Sequence, residues 1–183
     1  MVLLRPYRSR CGLAILALLL SFLVVSPLHA GSSKELRLQV AYLYNFTKFV
    51  TWPSGAFPSS DAPFRLCILG RDPFERFVNI LKKKKVKGRP ITIDRLSADA
   101  ALTGCHIAFI SPDDGSLWLA DVQRDSTQPT LIVGDTPGFA SRGGMINFIR
   151  QGNKLRFEVN REAVKRAGLK VSSTMLQIGR IVH

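Results

Sequence analysis

Polar residues with the chemistry of a small-ligand site follow three apolar segments of the sequence. Arg71 and Asp72 follow the first segment, Ser111 follows the second and Asp135 follows the third. If these segments are parallel strands, their carboxyl ends meet at one edge of a sheet, which is where ligands bind in such folds. Helix N-termini at this edge would bind an anion, with Arg71 as its counter-charge. The same residue types also form turns and helix caps, so both interpretations stay open.

The sequence contains few residues that could catalyse a reaction. Beyond residue 30 it has two histidines, and His183 is the terminal residue. His106 stands inside an apolar segment, where a hydrogen-bonded structural role is favoured over that of a general base. No metal-ligand cluster, nucleophile elbow, Walker loop or dinucleotide-binding glycine motif occurs. We therefore predict a protein that is not an enzyme and that uses no metal and no cofactor.

A dense run of cations lies between two of the apolar segments and comprises Lys82–Lys85, Lys87 and Arg89. It follows a segment with helical spacing, and the negative end of a helix dipole favours cations. One interpretation is therefore a solvated helix end. The alternative is a surface that touches an anionic membrane or an acidic partner.

The elements that would position these residues alternate between strands and helices. The predicted strands are 64–69, 91–93, 105–110 and 130–133. The predicted helices run from Ser32 to Val50, from Pro73 to Leu81, and through Leu117, Trp118 and Val122. Strands that are apolar without alternation indicate an α/β fold whose mostly parallel sheet has helices on both faces.

The last forty residues follow a different pattern. Segments 145–149 and 155–159 flank a turn at 151–154, which predicts an antiparallel hairpin near the C-terminal edge of the sheet. Asn160 then caps a helix from Arg161 to Ala167, and a last helical segment covers Ser173–Val182.

The first predicted helix carries more aromatic side chains than one core stripe needs. They are Tyr42, Tyr44, Phe46 and Phe49, with Trp52 just beyond. Such a surplus indicates either a well-covered core helix or the face of a homodimer.

Residues 1–30 have the three parts of a secretory signal peptide. Three arginines precede an apolar run over 12–25, and a short segment then ends at Ala30. A helix of about 14 residues spans about 21 Å, less than the roughly 30 Å of hydrocarbon in a bilayer. We therefore predict a cleaved signal peptide, followed by a single exported α/β domain over 31–183.

The exported part is strongly basic and retains two cysteines. It has 23 basic and 13 acidic residues, a net charge of +10, which favours acidic partners or anionic lipid headgroups. Nucleic acid is excluded as a partner because an exported protein seldom meets it and no aromatic residues interleave with the cations. Outside the cytoplasm, Cys67 and Cys105 predict a disulfide, and two buried thiols are the alternative.

Motifs along nearly the whole exported part resemble the YfiR family of periplasmic regulatory proteins. The segments that carry the resemblance are 41–50 with Trp52-Pro53, 66–74, 88–90, 105–111, 133–135, 138–139, 143–146, 156–160 and 167–173. The resemblance implies a non-enzymatic periplasmic protein that binds the periplasmic region of an inner-membrane diguanylate cyclase and holds it inactive. It also implies that related proteins serve sensor kinases, and it assigns no partner-binding surface.

The resemblance further implies that Cys67 and Cys105 form the cysteine pair that joins two strands. A second pair, which some members carry near 143–145, is absent. Redox regulation and a purely structural bond therefore stand as alternatives.

The alternative function is that of a periplasmic small-molecule-binding module, which would use the crevice at the strand ends.

Overall fold

A computed structural model describes residues 33–110 and 128–183. The predicted signal peptide, the candidate ligand residue Ser111 and the predicted helix through Trp118 lie outside the described residues. The described helices are α1 (Ser33–Phe49), α2 (Glu75–Val78), α3 (Arg161–Arg166) and α4 (Ser173–Ile178). Short 3-10 helices cover Ser54–Ala56, Asn79–Lys83 and Ala140–Arg142.

The described strands are β1 (Val50–Thr51), β2 (Phe64–Leu69), β3 (Lys85–Val86), β4 (Arg89–Leu96), β5 (Ile107–Ile110), β6 (Leu131–Gly134), β7 (Ile146–Gln151), β8 (Lys154–Asn160), β9 (Lys170–Val171) and β10 (Arg180–Val182). Eight of them form one sheet in the order β10-β8-β7-β6-β5-β2-β4-β3, while β1 and β9 pair antiparallel. In the large sheet only the β7–β8 and β3–β4 pairs are antiparallel. The predicted α/β class, the mostly parallel sheet and the C-terminal hairpin are confirmed.

The central strands are buried on both faces, which is why they are apolar without alternation. Every residue of β5 and β6 is buried, and in β2 only Arg65 is partly exposed. Successive side chains of a strand point to opposite faces, so continuous burial means that both faces of the sheet are covered here.

Helix α1 covers one face of the sheet with its aromatic side chains. The Phe46 ring lies 5.2 Å from that of Phe157 and 6.0 Å from that of Phe148, between centroids. Tyr42 contacts the same two rings, and Trp52 packs edge-on against Phe64. These contacts within one chain support the core-helix interpretation, and a homodimer stays a prediction.

The prediction of a helix from Ser173 to Val182 is wrong beyond Ile178, where β10 replaces it. A Cβ atom on Gly179 would lie 2.6 Å from the Phe157 ring, so the backbone passes very close to β8 at this point. Ile181 then pairs in parallel with Val159, which completes one edge of the sheet. Parallel pairing with a distant strand therefore overrides the local helical pattern.

Two further elements differ from the sequence expectation. The helix predicted from Pro73 to Leu81 is shorter than expected. Helix α2 begins at Glu75, and from Asn79 the chain continues as a 3-10 helix. The strand predicted at 91–93 extends over the whole of β4 and forms a hairpin with β3. The Asn160 cap is confirmed, since its Oδ1 accepts a hydrogen bond of 2.9 Å from the backbone N–H of Ala163.

Candidate functional site

The residues predicted to form a strand-end crevice lie at two separate places. Arg71 and Asp72 follow β2, whereas Asp135 follows β6, and β5 lies between these two strands. Ser111 lies outside the described residues. The structure therefore does not bring Asp72 and Asp135 together on adjacent strands.

Both carboxylate oxygens of Asp72 are engaged in local contacts. Oδ1 accepts hydrogen bonds from the backbone N–H groups of Phe74, at 2.8 Å, and Glu75, at 3.0 Å. Oδ2 accepts from the Arg95 guanidinium at 2.7–2.8 Å. Asp72 therefore organises the turn into α2 and ties it to β4, and its role as a ligand contact stays a prediction.

Asp135 lines a cavity of about 990 Å³ at the carboxyl end of β6. The described part of its wall comes from α1, the segment after β6, the β7–β8 hairpin and the junction of α4 with β10. Its charged lining residues are Glu35, Asp135, Arg150, Arg156, Glu158 and Arg180. Acidic and basic groups are equal in number here, so the cavity presents both signs of charge.

Two ion pairs link the elements around this cavity. Arg150 of β7 donates to Glu35 of α1, and Arg180 of β10 donates to Glu158 of β8. The side chain of Glu158 is buried and also accepts a 3.0 Å hydrogen bond from the Asn147 amide. These contacts hold α1 and β10 against the hairpin and thereby shape the cavity.

Gln39 is a polar residue of the cavity that the sequence patterns did not predict. It is 3% exposed, and its Nε2 donates a 3.2 Å hydrogen bond to Oδ2 of Asp135. Among the described residues its Oε1 has no hydrogen-bond partner, although a buried acceptor left unpaired costs about 1–3 kcal/mol. The sequence feature that could have revealed Gln39 is its position within the apolar stripe of α1, beside Val40 and Leu43.

His106 is a structural residue, as the sequence indicated, and it stands just before β5. Its Nδ1 accepts a 3.0 Å hydrogen bond from the backbone N–H of Arg65, so Nε2 carries the proton and donates to the Ala56 carbonyl at 3.1 Å. The ring stacks against Phe57 and Phe64 at centroid distances of 4.2 and 4.9 Å. Burial lowers the pKa of His106 below its ordinary 6.5, and nearby guanidinium groups lower it further.

This lowered pKa predicts that acid weakens the fold through His106. Between the folded pKa and 6.5 the unfolded chain binds more protons than the folded one, so stability is complete above pH 6.5 and falls below it. The slope is at most about 1.4 kcal/mol per pH unit for one proton. Urea unfolding of residues 31–183 at pH 7.5 and 5.5 measures it. In His106→Gln this part of the pH dependence should vanish, and an unchanged slope would contradict the assignment.

Cys67 and Cys105 form the predicted disulfide. Cys67 lies in β2, Cys105 lies two residues before β5, and their Cα atoms are 5.9 Å apart. The residues are 0% and 4% exposed. Cysteines that sense oxidants are ordinarily solvent-accessible, so this burial favours the structural bond over the redox switch.

The cationic run is divided between two roles. Arg89 donates hydrogen bonds of 2.8 Å to the carbonyls of Ser59 and Ala62, and its guanidinium lies 4.1 Å from the Phe57 ring centroid. Arg89 therefore stabilises the loop between the 3-10 helix Ser54–Ala56 and β2. Lys82–Lys85 are exposed at the end of the 3-10 helix, as expected for a helix end.

Within residues 33–110 and 128–183, no three His, Cys, Asp or Glu side chains lie close enough together to bind a metal ion. Among the helices in those ranges, none combines the length and hydropathy needed to cross a membrane. A protein-family model described as DUF4154, YfiR/HmsC-like, matches residues 36–180, which extend from α1 to the first residue of β10.

Proposed function

The chain belongs to the YfiR/HmsC-like family, and on this basis we propose that it is a periplasmic, non-enzymatic regulator of an inner-membrane signalling protein. It binds the periplasmic region of that protein and restrains its activity. A diguanylate cyclase is the proposed partner, with a sensor kinase as the alternative. The family match over residues 36–180 is the observation that carries this proposal.

Two properties of the described residues support a non-enzymatic regulator outside the cytoplasm. The Cys67–Cys105 disulfide suits an oxidising compartment, where such bonds form and persist. Both ring nitrogens of His106 are occupied by backbone groups, which suits a protein that is not an enzyme. We further propose that residues 1–30 are the export signal and that 31–183 act as one domain.

Restraint of a partner requires unequal affinity for its two states. Consider a partner that is 99% active when alone and 99% inactive when bound. The regulator must then bind the inactive state about 10⁴-fold more tightly than the active state. A partner-binding surface must therefore contact a part of the partner that differs between its two states.

Affinity purification from native membranes tests the proposal. The whole chain carries a C-terminal tag, is exported through its own residues 1–30, and is purified after mild solubilisation. We expect an inner-membrane signalling protein with a periplasmic region to co-purify. A matched chain without residues 1–30 should stay inside the cell and retain none. The absence of any such protein from both preparations would refute the proposal.

A second candidate function rests on the cavity at the end of β6. Gln39 is buried there with its Oε1 unpaired among the described residues, and charged groups of both signs surround it. A small zwitterionic molecule, or an anion that also carries an O–H or N–H group, would donate to this acceptor and match these charges. A module that binds such a ligand could also control the contact with a partner, so the two functions are compatible.

We predict that a ligand of this cavity raises the melting temperature of residues 31–183. At a concentration of 100 times Kd it adds about 2.7 kcal/mol of stability, which corresponds to about 5 °C or more for a chain of this size. A thermal-shift screen of anionic and zwitterionic metabolites measures the effect. Gln39→Leu should remove the shift, whereas Arg71→Ala, which changes a residue after β2, should keep it. The reverse pattern would place the site after β2.

A further inference from the structure

A groove separates α1 from the segment formed by α2 and the following 3-10 helix. It encloses about 480 Å³, and we call it the α1–α2 groove. Val40 and Leu81 form its buried floor, Phe77 is partly buried beside them, and Ile80 is 59% exposed. More than half of the Ile80 side chain is therefore left uncovered by the described residues, in the wall of a concave apolar surface.

The charged residues among the described lining of the groove are all cationic. Arg37 stands on the α1 side, and Arg76 and Lys84 stand on the other side. No carboxylate of the described residues forms an ion pair with any of these three. Arg37 lies 5.0 Å from the Phe77 ring centroid, which holds its guanidinium at the rim of the groove.

The sequence spacing explains how α1 contributes both to the core and to the groove. Helix α1 buries Val40, Leu43 and Phe46, and Val40 also lies at the floor of the groove. Arg37, Ala41 and Tyr44 follow one another at steps of four and three residues, so they form an adjacent stripe on the same helix. This stripe forms one wall of the groove, and Tyr44 at its end donates a 3.4 Å hydrogen bond to the carbonyl of Lys85 in β3.

We propose that the α1–α2 groove binds an amphipathic helix from the periplasmic region of the membrane partner. Apolar side chains of that helix pack on Ile80 and Phe77, and carboxylates beside them pair with Arg37, Arg76 and Lys84. An amphipathic helix laid in an apolar groove is a recurring mode of recognition. This inference rests on the proposed function and assigns the surface that carries it.

The shape and charge of the groove favour this occupant over two others. A bilayer surface is nearly flat and touches protruding cations, whereas the apolar floor here lies in a concavity that a helix fills. A second copy of the chain placed with the same face inward would bring cations against cations, since a two-fold interface uses one patch twice. An acidic amphipathic helix meets both the apolar floor and the positive rim.

Site-specific photocrosslinking tests the proposal in native membranes. A benzophenone amino acid replaces Ile80 in the exported chain, and the matched control places it at Ile181, which is 39% exposed on β10 and lines neither the groove nor the cavity. We expect the probe at position 80 to crosslink to a periplasmic segment of an inner-membrane signalling protein. Mass spectrometry should map the adduct to a helical stripe flanked by Asp or Glu, and the control position should give no such adduct. Adducts to lipid or to a second copy, or the same adduct from position 181 alone, would overturn the proposal.

Variants that place a negative charge in the groove give a quantitative measure. Ile80→Asp and Lys84→Glu should each reduce co-purification of the signalling protein about tenfold, and Ile181→Asp should leave it unchanged. Circular dichroism of each variant establishes that it is folded. If the unchanged chain retains the signalling protein and Ile80→Asp retains as much, the groove is not the surface and the proposed function stands. If the unchanged chain retains no signalling protein, the proposed function itself fails.

Discussion

Replacing Cys67 and Cys105 together with alanine is expected to lower the free energy of unfolding by about 4 kcal/mol. The two residues are 38 positions apart, and on the loop-entropy model a crosslink over that length restricts the unfolded chain by this amount. A small domain has only about 5–15 kcal/mol of stability in total. Urea unfolding of residues 31–183 measures the change.

Reduction of the unaltered protein is the matched control. Unfolding in a strong reductant should give the same loss as the double substitution, because both remove the same crosslink from the unfolded chain. Thiol counting on the denatured, unreduced protein should find no free thiol. Two free thiols, or a loss below about 1 kcal/mol, would contradict the structural role of the bond.

Truncating Phe46 to alanine is expected to destabilise the fold by about 3–5 kcal/mol. Phe46 is 1% exposed and lies between Tyr42, Phe148 and Phe157, so its removal leaves a cavity where α1 meets the β7–β8 hairpin. Urea unfolding monitored by circular dichroism measures the loss.

Two further variants keep this prediction measurable. Phe46→Leu retains most of the volume and should lose clearly less stability than Phe46→Ala. Leu38→Ala truncates a residue of the same helix that is 42% exposed, and it should change stability by no more than about 0.5 kcal/mol. Equal losses in Phe46→Ala and Leu38→Ala would contradict the aromatic contact between α1 and the sheet.

Local sequence patterns predicted the elements whose conformation depends mainly on their own residues. Strands β5 and β6 are continuous apolar runs and β2 is interrupted only by Arg65, a pattern typical of a sheet covered on both faces. The two-residue strands β1 and β9 left no such signal, because they exist through pairing between Val50 and Val171, which are far apart in the sequence. The same reason explains β10, whose three residues acquire their conformation from β8.

The candidate sites depend on tertiary contacts even more strongly. The prediction that Asp72 and Asp135 follow strand ends is correct. The two residues are nevertheless apart, because β5 lies between β2 and β6 in the sheet. Gln39 and Asp135 are 96 positions apart and meet because α1 crosses the end of β6. A polar residue inside an apolar stripe was visible in the sequence, whereas its partner was not. The α1–α2 groove likewise needs two helical segments whose relative position no local pattern specifies.

Cyclic di-GMP synthesis in spheroplasts is the most direct test of the central claim, that this chain restrains a membrane signalling protein from the periplasmic side. Spheroplasts of a strain that lacks the gene expose the outer face of the inner membrane to added protein. Adding purified residues 31–183 should lower the rate of cyclic di-GMP synthesis, and Ile80→Asp should lower it much less. A rate that stays the same at saturating concentrations of the unaltered protein would contradict the claim.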